Sequence, residues 1–487
     1  MPPSVVVIVA DGVRPDTLRD ALDRGELPSL ARLRGEGGLH TLTSVFPSVT
    51  GPAYAPFLMG RSPGPVGLPG LRWFDRARDV CTFPDYTRSY VGHQMRHVDA
   101  DLDPEAPTIF ELCPDSVAAL SVIFRGLAPE RRIGGGGFRE FRDAVRAATT
   151  HFRGDVRGWL DIDREVCDRV LRKIRETRPR FVFAALTGVD KASHAKGHEA
   201  PVVVDALRIV NDMAEMVRTE TERRGEWERT SLWVVSDHGH SAVREHEDLA
   251  AVVGRLGHRV VAHPWIFTRN PEVGVMVSGN AMAHLYVDLR RRVRPWWPAL
   301  TPRWGPLADA LLERPSVDLL LLPHGENRCE VRTTERGAAF VERSGGRTAE
   351  RFAYRASSGD PLGVGRDLDD VDAGAAYEAT IATDYPDSVV QIARLAGSRR
   401  SGELILSASR GWDFRARYEP IPHTSSHGAL HREHMLVPLL VNKPIAGQPR
   451  RTVDVMPSAL VALGLPVPAG LEGKSFIGSS ARELESS

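Results

Sequence analysis

The sequence predicts an α/β fold: a mostly parallel central sheet flanked by helices, with a smaller cap or insertion beside it. Three observations carry that reading. SVVVIVADG is a run of β-branched residues that ends in Asp-Gly, the pattern of a strand buried on both faces. The layout recurs in RFVFAALTGVD, which ends at Asp190, and in SLWVVSDHGH, which carries Asp237 and His238 past its apolar run. Helical stretches alternate with these strands, which argues for parallel pairing.

Taken in order, residues 1–270 read as the first part of a core domain. Its first strand is followed by the helical stretch PDTLRDALDRGELPSLARLRGEG. An irregular insertion occupies about 87–160 and holds the loop IGGGGF (133–138). That glycine run is a weak phosphate signal, because no Gly-Lys-Ser/Thr follows it. Residues 271–410 form the cap or insertion. Segments such as ENRCEVRTTERGAAFVERSGGRTAERFAY mix turn residues with polar alternation, as small strands do. Residues 411–487 complete the core, with MLVPLLVN as a fourth apolar strand.

The 487 residues are 42% apolar and 26% charged, ordinary for a globular chain. Net charge is zero, which excludes partners recruited by bulk charge: no nucleic-acid polymer and no anionic membrane are expected. Positive charge is nearly all arginine, the lysines being Lys173, Lys191, Lys196, Lys443 and Lys474. Cys81, Cys113, Cys167 and Cys329 are far apart and form no CxxC pair, so they read as reduced, mostly buried thiols. The opening MPPSVVVIVADG has no basic stretch before its apolar run and is too short to span a bilayer. A cytoplasmic enzyme is the expectation, with homo-oligomer formation left open.

In α/β sheets, ligands bind beyond the carboxyl ends of the strands. Asp11, Asp190, Asp237 and His238 fall there. VDKASHAKGH sets Asp190 and His194 four apart, on one face if the segment is helical. PHTSSHGALHREH adds His423, His427, His431 and His434. Each group alone has an ordinary explanation: a helix-start Asp with a surface His, a polar strand end, a solvated loop. Together on one sheet edge they point to a metal centre. Oxygen and imidazole donors without thiolate suit zinc, with manganese or iron as alternatives. The segment VFPSVTGPAYAPFLMGRSPGPVGLPG (45–70) presents the hydroxyls of Ser48 and Thr50 before a helix-like stretch. These are either caps or a nucleophile for phosphate.

These motifs, in this order, resemble the alkaline phosphatase superfamily, and within it the type I phosphodiesterase/nucleotide pyrophosphatase branch with its phosphonoacetate hydrolase-like relatives. VVIVADGVRPDTL is similar to the opening metal-Asp strand, the 45–70 segment to the nucleophile segment, and TGVDKASHAKGH to the Asp-xxx-His motif. VVSDHGH, SSHGALHREHMLVPLLV and TVDVMPSALVALGLPVPAGLEGKSF resemble the later segments of the same pattern. The resemblance covers the first eighty or so residues, 181–240 and 415–476. It implies an alkaline-phosphatase-like three-layer sandwich.

The resemblance further implies two divalent metal ions, zinc first and manganese or iron next, and a small phosphorylated substrate. It selects Thr50 as nucleophile and His427 from the histidine-rich run. One ion would be held by Asp190, His194 and His427, and the other by Asp11, Asp237 and His238 with Thr50. The implied reaction is cleavage of phosphodiester or pyrophosphate bonds through a phosphothreonine at Thr50. Alternatives on the same site are phosphonate hydrolysis, phosphomonoester hydrolysis and phosphoryl transfer. A sulfatase is disfavoured, since neither Cys81 nor Cys113 sits in a Cys-x-Pro-x-Arg context. A non-catalytic scaffold is disfavoured because no member of the set is missing. Where the family commonly carries Asn three residues after the Thr, this chain has Ala53, which points to another phosphate donor or another substrate. His198, His240, His431 and His434 are read as supporting or surface groups, Lys191 as solvated, and Trp73 and Phe74 as core.

Overall fold

Valines and isoleucine alternate sides along Ser4–Ala10, and each side finds its own core. Val5, Val7 and Val9 pack into one apolar cluster, and Val6, Ile8 and Ala10 into another. Full burial of such side chains stabilises by about 1.5–3 kcal/mol each, which makes this strand the spine of the molecule. The computed structural model describes residues 2–77, 87–134, 138–264, 266–346, 349–415, 419 and 421–478. Cys81 and the glycines at 135–137 lie outside the described residues; Cys113, Cys167 and Cys329 are buried free thiols.

Among the described residues the central sheet has seven strands. Their order is Leu39–Thr43, Leu436–Val441, Thr230–Val235, Ser4–Ala10, Phe181–Leu186, Ser116–Ala119 and Arg132–Ile133. Ser4–Ala10 pairs in parallel on both sides. Leu436–Val441 alone runs against its neighbours. Helices Pro15–Asp23, Pro28–Glu36, Val156–Thr177 and Pro201–Arg223 cover one face. Ala55–Met59 and Val455–Ala462 lie on the other, completing a three-layer sandwich.

Two local expectations change. The first helical stretch is two helices, interrupted where Gly25 adopts φ +72° and Pro28 starts afresh. The stretch 87–160, read as irregular, supplies Ser116–Ala119 and Arg132–Ile133 to the central sheet, together with the helix Phe138–Phe152.

A second, nine-stranded sheet is built by Val260–Ala262, Val273–Ser278, Met282–Val287, Leu404–Ala408, Val317–Gly325, Arg328–Thr333, Gly337–Ser344, Arg351–Ala356 and Leu368–Asp372, in that spatial order. Apart from the first pair it is antiparallel throughout. Trp297–Leu312 buries one face and Ser388–Ala396 the other. At the turn between Val273–Ser278 and Met282–Val287 the second sheet touches the first unit. A Cβ on Gly279 would stand 2.7 Å from Val49 and 2.9 Å from the His427 carbonyl, so only glycine lets this turn approach.

A buried ion pair fastens the C-terminal segment to the helix Ser388–Ala396. Arg451 donates Nε to Asp387 Oδ2 at 2.7 Å and Nη2 to Oδ1 at 2.6 Å. Both side chains are almost wholly shielded, at 8% and 0% exposure. Removing one partner strands the other charge in the interior. Asp387→Ala is therefore expected to lower unfolding free energy by about 3–5 kcal/mol in urea titrations, whereas an effect under about 1 kcal/mol would mean that solvent reaches Arg451.

Candidate active site

Sheet direction assembles the site. Asp11 follows Ala10 directly, and Asp237 lies two residues past Val235. Asp190 stands in the first turn of the helix Gly188–Lys196, which follows Phe181–Leu186. Thr50 lies in the segment after Leu39–Thr43. All four come off carboxyl ends at one edge. Leu436–Val441 runs the opposite way, so the segment that precedes it, with His427, enters from the same edge.

Thr50 Oγ1 lies 3.1 and 3.3 Å from the two oxygens of Asp11 and 3.0 Å from His238 Nε2. His238 Nε2 lies 3.2 Å from Asp11 Oδ1 and 3.6 Å from Asp237 Oδ2. Asp237 Oδ1 accepts the Gly12 amide at 3.3 Å, while its Oδ2 is buried with no hydrogen-bond partner. A second group gathers on Asp190 Oδ1, with the Nε2 atoms of His240, His194 and His427 at 3.0, 3.2 and 3.4 Å. The groups meet where the rings of His238 and His427 stack, 3.6 Å apart and 6° from parallel. All seven residues expected from the sequence are therefore brought together.

The imidazole tautomers follow from their partners. His194 Nδ1 faces the Ser425 carbonyl at 2.8 Å, His427 Nδ1 the Ser48 carbonyl at 2.9 Å, and His238 Nδ1 the Gly239 carbonyl at 3.1 Å. A carbonyl only accepts, so each Nδ1 carries the proton and each Nε2 presents a lone pair. Those lone pairs point at carboxylate oxygens and at Thr50. Lone pairs that converge on anions need a cation between them. The local electrostatics show the same pull toward positive charge, which on His238 favours a second proton. Burial and then Asp11 push the Asp237 carboxyl well above its ordinary range. Burial opposes charge on His238, yet Asp237 and Asp11 raise its pKa to about 9. Burial also opposes charge on Asp190, but Lys191 and His194 hold it well below the carboxylate range. The orphaned Asp237 oxygen and an oxygen–imidazole donor set without sulfur fit divalent metal ions.

Lys191 and His240 differ from their sequence-based reading, and the other groups keep theirs. Lys191 is no solvated side chain: its Nζ donates to Asp190 Oδ2 at 2.8 Å and sits 5.7 Å from the centre of the Trp159 ring. His240 is fully buried inside the second group rather than peripheral. His434 takes the Ala429 amide on Nδ1 and donates Nε2–H to Ser241, so it braces the His427 segment. His198 faces Arg14 outside the two groups, and His431 sits against Glu433. Trp73 and Phe74 are core.

The helical stretch expected after Thr50 begins as a 3-10 turn, Pro52–Tyr54, that runs into the helix Ala55–Met59, and its first amides turn inward. Pro52 has no amide hydrogen, and the amides of Ala53 and Tyr54 bond to the carbonyls of Val49 and Gly51. Ala53 packs with Val45 and Val453 in a small apolar cluster, so its difference from the family Asn is filled by core contacts. Ser48 is structural: its hydroxyl donates to the Ala429 carbonyl at 3.1 Å.

Sequence reasoning missed two groups that act through others. Asp163, from the helix Val156–Thr177, accepts the amides of Thr187 and Gly188 at 3.1 and 2.7 Å and so anchors the helix that carries Asp190 and His194. Burial raises its pKa to about 7, against the pull of those amides. Ser425 holds His194 by its carbonyl and His240 by its hydroxyl, at 2.8 and 3.0 Å. The only signal for Ser425 is its place two residues before His427.

This fold and this site define a metal-dependent hydrolase. The narrower assignment rests on comparison: residues 5–295 match the family described as type I phosphodiesterase / nucleotide pyrophosphatase, and the chain belongs to that family. It is a hydrolase of the phosphodiesterase/pyrophosphatase type. No curated protein sequence matches it. Solved structures with the same fold include phosphonoacetate hydrolase from Sinorhizobium meliloti 1021 in complex with phosphonoformate, at 16% identity and a TM-score of 0.54 over 95% of this chain and 96% of that one. Human ectonucleotide pyrophosphatase / phosphodiesterase 5 shares 12% identity with a TM-score of 0.55, and the murine protein 13% with 0.54, each over 96% of both chains. At these identities the likeness is one of fold, alkaline-phosphatase-like in every case.

Asp163→Ala leaves two buried amides without an acceptor. It is expected to cost about 2–3 kcal/mol in unfolding titrations. Zinc affinity should fall about 10–100-fold by chelator competition, as for groups that orient ligands. Unchanged affinity would show that the helix holds its ligands without the cap.

Proposed function

We propose that this chain cleaves phosphodiester or pyrophosphate bonds of small phosphorylated substrates, with Thr50 as nucleophile. The observation that supports this most directly is the Thr50 hydroxyl, held 3.0–3.3 Å from Asp11 and His238 at the carboxyl edge of the sheet. Asp11, Asp237 and His238 would hold one divalent ion beside Thr50, and Asp190, His194 and His427 the other. When bound, the two ions, zinc in this reading, supply positive charge to the entering and leaving oxygens.

The chain's own groups do the rest. Asp11 and His238 hold the Thr50 oxygen on the edge where substrate arrives. Thr50 Oγ1 forms a bond to phosphorus as the bond to the leaving oxygen breaks, and the hydroxyl proton ends on the departing group. Water then cleaves the phosphothreonine, restoring the hydroxyl and releasing the second product. Lys191 keeps Asp190 ionised and in place. The cap, residues 271–410, supplies contacts to the leaving group across the turn at Gly279.

The test is metal analysis with a substrate panel. Purified protein should carry two equivalents of divalent metal and hydrolyse bis-p-nitrophenyl phosphate faster than p-nitrophenyl phosphate or phosphonoacetate. A preference for phosphonoacetate would keep the site and overturn the substrate class. Thr50→Ala is expected to reduce turnover by more than about 1,000-fold with metal content unchanged. Full activity in that variant would remove Thr50 from the chemistry. Stripping the protein with chelator should abolish hydrolysis. Zinc at a hundred times its dissociation constant should then restore about 2.7 kcal/mol of stability per site.

A further inference from the structure

The geometry points to His240 as a fourth protein donor to the metal ion held by Asp190, His194 and His427; this rests on the metal-site reading above. The ligand set drawn from the motif resemblance does not include this residue. Of the imidazole nitrogens that face Asp190 Oδ1, His240 Nε2 is the nearest, at 3.0 Å against 3.2 Å for His194 and 3.4 Å for His427. The donor atoms of Asp190, His238, His240 and His427 all lie within 4.8 Å of one another. An ion on Asp190 Oδ1 that takes the lone pair of His427 therefore has His240 Nε2 within the same cluster of donors, and His194 Nε2 lies 3.2 Å from that oxygen.

The ring orientations suit a common centre. His240 stands 80° from His194 and 64° from His427, with ring centres 4.9 and 5.0 Å away, and His194 and His427 are themselves 50° apart. Three imidazoles tilted so differently around one oxygen form a tripod, not a stack. The chain also makes room for this ring. A Cβ on Gly12, the residue next to Asp11, would lie 2.8 Å from His240 Nε2 and 2.9 Å from its Cδ2, and Gly12 sits at φ +78°, where other residues are strained. Behind the ring, Ser425 Oγ lies 3.0 Å from Nδ1 and fixes its rotation. With Nδ1–H donated to that hydroxyl, Nε2 is a lone pair like its neighbours.

The consequence is an asymmetric pair of sites. Three imidazoles and one carboxylate would give the Asp190 ion four protein donors, one more than a catalytic zinc usually has, so that a leaving oxygen would join it as a fifth ligand. Asp11, Asp237 and His238 supply three donors with a single imidazole, which leaves a position open beside Thr50. The Asp190 ion should bind first and exchange slowly, and the ion beside Thr50 should be the exchangeable one.

The alternative is that His240 donates Nε2–H to Asp190 and only orients it. X-ray absorption of the full-length wild-type protein carrying one equivalent of zinc separates the two without any mutation. Three imidazoles on the tightly held ion are expected, and two would overturn the inference. His240→Gln, which keeps a donor for Asp190 but removes the imidazole, is expected to weaken the tighter zinc by more than the 10–100-fold that outer groups command. Wild-type zinc affinity in that variant would sink the inference, while loss of one zinc in His427→Ala in the same assay would leave the two-metal reading standing. Wild-type protein that binds no zinc would overturn both.

Discussion

Three carboxylates buried within a few ångströms of one another set the terms for the rest of this molecule. Asp11, Asp190 and Asp237 are each about 1% exposed or less. Uncompensated charge is costly in such surroundings. The ammonium of Lys191 answers one of them directly. The others face imidazole nitrogens, and one Asp237 oxygen has no hydrogen-bond partner. The chain stores this imbalance at the edge of its most buried sheet, and a divalent ion resolves it. The same arrangement fixes the histidine tautomers, because the Nδ1–H groups of His194, His238 and His427 are spent on carbonyls of the scaffold and not on the acids.

The positions of those carbonyls show how far the scaffold is built around the centre. Ser48 belongs to the Thr50 segment but holds His427, and Ser425 belongs to the His427 segment but holds His194 and His240. Each segment thus braces a ligand contributed by another. Small displacements in one are passed to the others through bonds near 3 Å, which accounts for a site assembled from five distant stretches of chain.

Much of this centre is legible in the amino-acid sequence. A β-branched run ending in Asp is a local signal, and three such runs name the strands and the acids together. Asp190 and His194 share a helical turn because four-residue spacing says so, and the motif order singles out Thr50 and His427 from their neighbours. What escapes a linear reading is set by tertiary neighbours. Asp163 looks like any polar residue on a long amphipathic helix until its partner helix is placed. His240 lies two residues past His238, and nothing in SDHGH tells whether the chain turns it inward. Ala53 carries chemical weight by its spacing from Thr50, yet its environment is Val45 and Val453. The amides of Ala53 and Tyr54 are taken up by a tight turn through Pro52, which residue spacing does not announce. The 87–160 stretch hides an edge strand and its inner neighbour, which are too short for periodicity to reveal.

The reversed strand has a consequence for biosynthesis. Leu436–Val441 sits between Thr230–Val235 and Leu39–Thr43, although it comes from the last tenth or so of the chain. Ribosomes add about 5–20 residues per second, so on the order of ten seconds or more separate the emergence of Val235 from that of Leu436. Through that interval Thr230–Val235 offers an unpaired apolar edge, the kind of surface that recruits foreign strands. The segment that finally covers it carries His427 just ahead of it. Sheet closure and completion of the ligand set are therefore one late event in the life of each chain, and a ribosome that stalls short of it leaves a product that is at once sticky and inert.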